Sequence, residues 1–225
     1  MIKLDHRVAG YEGLAITPSL SGTIATGSMT AIVGLNGCGK STLLKTLAGF
    51  IPPVSGRLNW RGERPVIGWL AQRHALESQF PLTVQDVVSQ GAWPRVSLLR
   101  GVRGEGRQRI VASLERVGLL TMAKTPIEAL SGGQFQRMLF ARVMVQRAPL
   151  VMLDEPFTGI DEATCRELMA LILEMHQQGQ TILAVLHDNQ RVADYFPETL
   201  LLTSQHARWG CTPDVLPAFH SARLA

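Results

Sequence analysis

Gly34-Leu35-Asn36-Gly37-Cys38-Gly39-Lys40-Ser41-Thr42, directly after the apolar run Met29 to Val33, constrains this chain more than any other stretch. Its glycines let the backbone pass close to an anion, and the helix that follows begins with amides that have no intrahelical partner. Several N–H groups can therefore converge on phosphate oxygens. Lys40 is placed to reach β- and γ-phosphates, Ser41 to offer its hydroxyl to Mg²⁺, and Thr42 supplies the next hydroxyl of the same turn. A strand before the loop and an apolar helix after it (Leu43, Leu44, Leu47) set it apart from an ordinary glycine-rich turn.

The 225 residues suffice for one substantial α/β core with a subdomain inserted, and 46% hydrophobic with 18% charged residues is the balance of a folded chain. Cys38, Cys165 and Cys211 are far apart and odd in number, which argues against a disulfide framework and fits a reducing compartment. The longest apolar runs are broken by Asp154 and Glu155 or by His187 and Asp188, short of the roughly 18 to 20 residues of a membrane helix. Met1 to His6 lacks the regions of a signal peptide, so service to a membrane is expected from the cytosolic side, through partners. The net charge of +4 fits nucleic acid or an anionic leaflet, but a phosphate-binding domain needs basic residues in any case. Arg95, Arg100, Arg103, Arg107 and Arg109, interleaved with glycines, read as a solvated face rather than a nucleic-acid patch.

Ile2 to about Thr30 reads as short strands with turns at Ala9-Gly10, Thr17-Pro18-Ser19, Ser21-Gly22 and Thr26-Gly27-Ser28. Tyr11 in this antiparallel portion could stack on a purine or simply pack. A helix over Lys40 to Ala48 stops at Gly49, strands follow at Arg57–Trp60 and Val66–Ala71, and Gln72 lies just past the second, where ligands sit in an α/β sheet. From about residue 73 to 133 the pattern turns helical. Thr83 to Asp86 forms a capping-box variant, and a helix over Glu105 to Val117 carries Ile110, Val111, Leu114 and Val117 as its apolar stripe.

Leu130-Ser131-Gly132-Gly133-Gln134 opens a helix over Phe135 to Gln146 and is a second anion-ready terminus. Two such loops in one domain cannot meet the same γ-phosphate unless the second belongs to another subunit. Leu150 to Leu153 is a continuous apolar run suited to a doubly buried parallel strand, and it ends in Asp154, able to bind Mg²⁺, and Glu155, placed as a general base toward water. A helix over Glu162 to Gln178 buries Leu168, Leu171, Ile172 and Met175, and the strand Thr181 to Leu186 ends in His187-Asp188. A final strand at Thr199 to Thr203 and a short tail close the domain, and His206, Cys211 and His220 in the tail do not match zinc spacing.

In this order the pieces resemble the ATP-binding subunit of ABC transporters over nearly the whole chain. The phosphate loop matches Walker A, Leu130 to Gln134 is identical to the family signature, and Leu150 to Glu155 matches Walker B with its following glutamate. Gln72 falls at the Q-loop, Asp161 at the D-loop and His187 at the switch histidine, and Tyr11 fits the A-loop aromatic that stacks on adenine. Leu35 stands where proline is frequent and Ile160 where leucine is common, and neither touches a polar group that the chemistry needs.

The resemblance implies an α/β P-loop NTPase fold of ABC type: one domain over residues 1–225, with an antiparallel β portion and a helical subdomain at about 73–133 inserted in a RecA-like core. It implies ATP and Mg²⁺ as cofactors, with residues 34–42 and Tyr11 binding ATP. Ser41, Gln72 and Asp154 would hold the metal, and Glu155, His187, Gln72 and Lys40 would be catalytic. It further implies a head-to-tail homodimer in which Ser131, Gly132, Gly133, Gln134 and Asp161 act in trans. An integral membrane permease and an extracytoplasmic solute-binding protein complete the complex, which would place this chain on the cytoplasmic face of the membrane. No nucleic acid is expected.

Gln79 to Val88 and Phe196 to Leu202 look like the ATPases of bacterial zinc, manganese or iron importers. An iron chelate or a cobalamin-like molecule is the alternative cargo. A non-transport ABC protein acting on nucleic acid or ribosomes is the alternative class, although such proteins usually carry two cassettes or a long coiled-coil insertion, and this sequence has neither.

Overall fold

The computed structural model describes residues 1–71, 81–95 and 104–217. Its centre is a sheet built from β5 (Met29–Val33), β7 (Ile67–Leu70), β8 (Leu150–Asp154), β9 (Thr181–Val185), β10 (Glu198–Leu202) and β11 (Ala207–Cys211). The spatial order is β11-β10-β5-β9-β8-β7. All neighbours run parallel except β11, which pairs antiparallel with β10.

Every residue of β5, β8 and β9 is buried, as unbroken apolar runs require when both faces of a parallel sheet are covered. Alternation sorts these side chains into two cores. Ala31, Val33, Val151, Leu153, Ile182 and Ala184 face α4 (Gly132–Gln146) and α5 (Glu162–Gln177). Ile32, Leu150, Met152, Leu183 and Val185 face α1 (Lys40–Leu47) through Leu43, Leu44 and Leu47.

The second core is roofed by an antiparallel sheet of β4 (Leu20–Ile24), β1 (Ile2–Val8) and β6 (Ser55–Trp60), which contributes Ile2, Leu4, Leu20 and Ile24. A small hairpin, β2 (Gly10–Tyr11) with β3 (Leu14–Ala15), turns at Glu12 and Gly13, both at positive φ (50° and 81°), as a primed two-residue turn requires.

Between β7 and α4 come α2 (Val84–Ser89), a 3₁₀ turn at Gln90–Arg95 and α3 (Glu105–Arg116). Their apolar residues Val84, Val87, Ile110 and Leu114 join the same core as α4. Thr83 caps α2 in a full capping box with Asp86, as its sequence predicts. The expected stripe of α3 needs one correction: Val111 is 42% exposed, while Gly106, Ser113, Ile110 and Leu114 face inward. Ile110 and Val111 lie about 100° apart around a helix, so they cannot both point to one narrow stripe. The tail also differs from expectation. Ala207 and Trp209 pack on the second core and make β11 an edge strand, and Thr212–Val215 forms α7. Thr212 Oγ1 is buried, close to Phe196 O and 2.8 Å from Thr199 Oγ1.

The free edge of β7 is covered by side chains of α4: Arg142 Nη2 donates to Trp69 O (2.8 Å) and Gln146 Nε2 to Ile67 O (3.2 Å). Burial pulls the Arg142 guanidinium pKa below its ordinary value. Gln72 lies outside the described residues.

Candidate ATP site at the carboxyl edge of the sheet

Because β5, β8 and β9 are parallel neighbours, residues 34, 155 and 187 emerge from one edge of the sheet. The loop after β5 depends on its glycines. A Cβ on Gly34 (φ 151°) would sit 2.0 Å from Leu202 O, and one on Gly39 (φ 94°) would sit 2.7 Å from Thr17 Cγ2. Leu35, Asn36 and Gly37 are exposed at the loop's tip, with Cys38 buried beneath. The α1 helix starts at Gly39 with no side-chain cap, whereas Ser131, Asp161 and Asp188 each cap the helix they precede. At this edge of the sheet its leading amides are thus left to an anion, while those after Asp188 are capped.

Lys40 is 5% exposed, and Nζ donates to Gly34 O and Leu35 O, both at 2.9 Å. The ammonium is therefore held inside the loop by the loop's own carbonyls. Ser41 Oγ donates to Asp154 Oδ1 at 2.7 Å. The other oxygen, Asp154 Oδ2, is buried with no hydrogen-bond partner among the described residues. Burial, the largest influence, raises the Asp154 pKa above its ordinary value in spite of Ser41, Lys45 and Lys40. A buried carboxylate oxygen without a donor, beside a serine hydroxyl, has the hard-oxygen chemistry that suits Mg²⁺.

Glu155 sits at φ 51°, in the left-handed region that an L-residue rarely adopts. Oε1 lies 2.7 Å from His187 Nε2, and Oε2 accepts from Thr158 Oγ1 at 3.3 Å. The turn after β8 and the end of β9 thus meet through these two side chains. His187 also lines a cleft with Gly34, Leu35 and Asn36, so it stands between the phosphate loop and Glu155.

The Leu130–Gln134 stretch is built on the start of α4. Ser131 Oγ accepts from Gln134 N (3.3 Å) while Gln134 Oε1 accepts from Ser131 N (2.9 Å), which leaves the serine O–H as a donor. Gly133 packs against the start of α5, where an added Cβ would be 3.1 Å from Thr164 Oγ1 and 3.8 Å from Asp161 Oδ2. Asp161 caps α5 by accepting from Thr164 N (2.9 Å) and Thr164 Oγ1 (2.8 Å), and these bonds lower its pKa. Residues 131–134 and Asp161 therefore form one unit. Tyr11 is 44% exposed on its short hairpin, available to a planar ligand rather than committed to a core.

Sequence reasoning missed Thr158 and Gln136. Gln136 is buried and its Nε2 donates to Pro156 O at 2.7 Å, tying α4 to the turn beyond Glu155. Its position three, four and seven residues before Leu139, Phe140 and Val143, on the buried face of α4, was the available signal. Thr158 carried none.

Residues 18–158 match the family described as ABC transporter. The chain belongs to this family. Two curated ABC proteins show the extent of the likeness. The manganese transport system ATP-binding protein MntB of Bacillus subtilis is 36% identical over 95% of this chain and 88% of its own length. The zinc transport system ATP-binding protein TroB of Treponema pallidum is 38% identical over 89% and 77%. Among solved structures, an ABC transporter assigned to the metal-chelate type and caught facing inward superposes with a TM-score of 0.84 at 27% identity, covering 99% of this chain and 88% of that one. The fold is that of an ABC ATPase cassette, and the chain is an ATP-binding, ATP-hydrolysing protein. Among the described residues no helix is long and apolar enough to cross a membrane.

Proposed function

We propose that this ABC protein is the ATPase subunit of an importer for a divalent metal ion, manganese or zinc. The observation that carries the chemistry is the sheet edge itself, where a Ser41–Asp154 pair with one open carboxylate oxygen lies on one side and a Glu155–His187 pair on the other. The cargo rests on the relatives, whose names specify manganese and zinc transport. A metal chelate is the second reading, supported by the 27% identity to the metal-chelate type transporter.

In this reading Tyr11 stacks on adenine, and the amides at the start of α1 hold the phosphates. Lys40 spreads the charge of the γ-phosphate, exchanging loop carbonyls for phosphate oxygens. Ser41 and Asp154, joined by Gln72, would hold Mg²⁺, which when bound would supply positive charge to offset that of the phosphates. Glu155 accepts the proton of the attacking water, and His187 fixes that carboxylate while reaching toward the γ-phosphate.

Ser131, Gly132, Gly133, Gln134 and Asp161 serve the ATP of a second copy, so that two copies packed head to tail enclose two identical sites. Closure on ATP and reopening after hydrolysis drive the membrane permease, against which the helical subdomain over about residues 73–133 packs. The permease holds this subunit at the cytoplasmic face, and a solute-binding protein delivers the ion on the other side. Measuring Mg²⁺-dependent ATP hydrolysis by wild type and Lys40→Ala tests the site: the wild type should turn over and the variant should not, and equal rates would refute the assignment.

A further inference from the structure

A cleft of about 300 Å³ beside Glu155 and His187 is lined on its far side by Arg191. Arg191 lies in α6 (Asn189–Tyr195), and its side chain is only 13% exposed. Its Nη2 donates to Glu162 Oε2 at 2.9 Å and stands 3.5 Å from Asp188 Oδ2. Its guanidinium carbon lies 5.0 Å from the centre of the Phe157 ring, and its backbone N–H donates to Asp188 Oδ1 at 3.0 Å.

These partners come from three segments, each adjacent to a residue of the site. Phe157 follows Glu155 by two positions, Glu162 follows Asp161, and Asp188 follows His187. A guanidinium is planar and always charged, so once largely buried it binds a carboxylate and an aromatic face in one fixed geometry. The His187–Glu155 pair it adjoins is partly open to solvent, with side chains 41% and 15% exposed. Ion pairs exposed in this way hold their own geometry poorly. The geometry points to Arg191 as a positioning residue that clamps the His187 loop to the turn running from Glu155 to Glu162, and so keeps His187 Nε2 on Glu155 Oε1. The role rests on the ATPase reading above and adds a residue that acts through His187 and Glu155.

The test reads both the pairing and the turnover in the full chain. The His187 Cε1–H resonance, assigned by its loss in His187→Gln, is followed at one pH in nucleotide-free protein. Glu155→Gln gives the shift that marks a broken pair. Arg191→Gln should shift the resonance in the same direction, Glu162→Gln should do so to a smaller extent, and Arg208→Gln, at an exposed position of β11, should leave it in place. In steady-state ATP hydrolysis Arg191→Gln should lower kcat by about 10- to 100-fold, the scale of a misplaced catalytic group, with KM nearly unchanged. Arg191→Lys, which keeps the charge, should recover part of kcat. An unmoved His187 resonance in Arg191→Gln would overturn the clamp, as would a loss of kcat matched by loss of nucleotide affinity and no recovery with Lys. The resonance needs no hydrolysis, so a wild type that fails to turn over ATP would remove the ATPase reading while the clamp is still judged on the spectrum.

Discussion

His187 Nε2 stands 2.7 Å from Glu155 Oε1, so the histidine beyond β9 grips the carboxylate that follows β8. The backbone of Glu155 is held at φ 51° to make this meeting possible, and a residue kept in that region has its side-chain direction fixed by the surrounding turn. Glu155→Gln preserves the shape but cannot accept a proton from water. ATP affinity should stay within about threefold while turnover falls by a factor on the order of 10² or more, and ATP should trap a dimer. Nucleotide binding and single-turnover hydrolysis measured side by side check this, and near-normal turnover would contradict the base assignment.

Asp154 gives a prediction whose sign depends on pH. Its folded pKa is raised, chiefly by burial, so its ionised form costs stability: the cost is full above the raised value, shrinks as pH falls through it and is gone below the ordinary value of 3.8. Mg²⁺ held at this carboxylate, as proposed, would offset the same cost at neutral pH. Without Mg²⁺ at pH 7, Asp154→Asn should therefore melt above the wild type, while its Mg²⁺-dependent turnover drops by roughly 10³, the scale of a lost metal contribution. Thermal melts with EDTA and with MgATP, run on both proteins, read the two effects separately.

Ser131 caps α4 and, in the proposed dimer, faces the partner's nucleotide. Ser131→Arg should abolish turnover while leaving ATP binding to the single subunit unchanged, because no residue of the phosphate loop in the same chain depends on it. Ser131→Ala should cost only about 1 kcal/mol of stability, the usual worth of an N-cap. Equal loss of binding and turnover in Ser131→Arg would show that the signature works in cis.

The site was legible in the sequence wherever its chemistry is carried by a short contiguous stretch. Residues 34–42, 131–134 and 154–155 needed only their neighbours to be read, because phosphate loops, caps and strand ends are local devices. What escaped depends on distant partners. Arg191 meets Glu162 across 29 positions, and Gln136 meets Pro156 across 20, separations that helix periodicity cannot register. The error at Val111 was of another kind: two adjacent apolar residues were assigned to one stripe although the helix turns between them. β11 was missed because only Ala207 and Trp209 of its five residues are apolar anchors, and its edge position leaves Arg208 and Cys211 in solvent.

The capping box at α2 offers a test away from the site. Thr83 Oγ1 (2.6 Å) and Thr83 N (2.9 Å) both donate to Asp86 Oδ2, which lowers the Asp86 pKa, while Thr83 Oγ1 accepts from Asp86 N at 3.3 Å. Thr83→Ala should destabilise the chain by about 1 kcal/mol in urea at pH 7. Since the folded pKa of Asp86 is depressed, its share is intact above the ordinary value of 3.8 and fades as pH falls through the lowered one. The difference between variant and wild type should accordingly shrink in strong acid and hold constant from pH 5 to pH 8.

ATP hydrolysis at this sheet edge is proposed to drive uptake of a divalent metal ion. The most direct test is radioactive manganese, zinc and iron uptake in cells lacking this protein, complemented with the wild type or with Lys40→Ala. The account predicts that uptake of manganese or zinc is lost, is restored by the wild type and is not restored by Lys40→Ala. Uptake of all three ions that is unchanged by the deletion would contradict it.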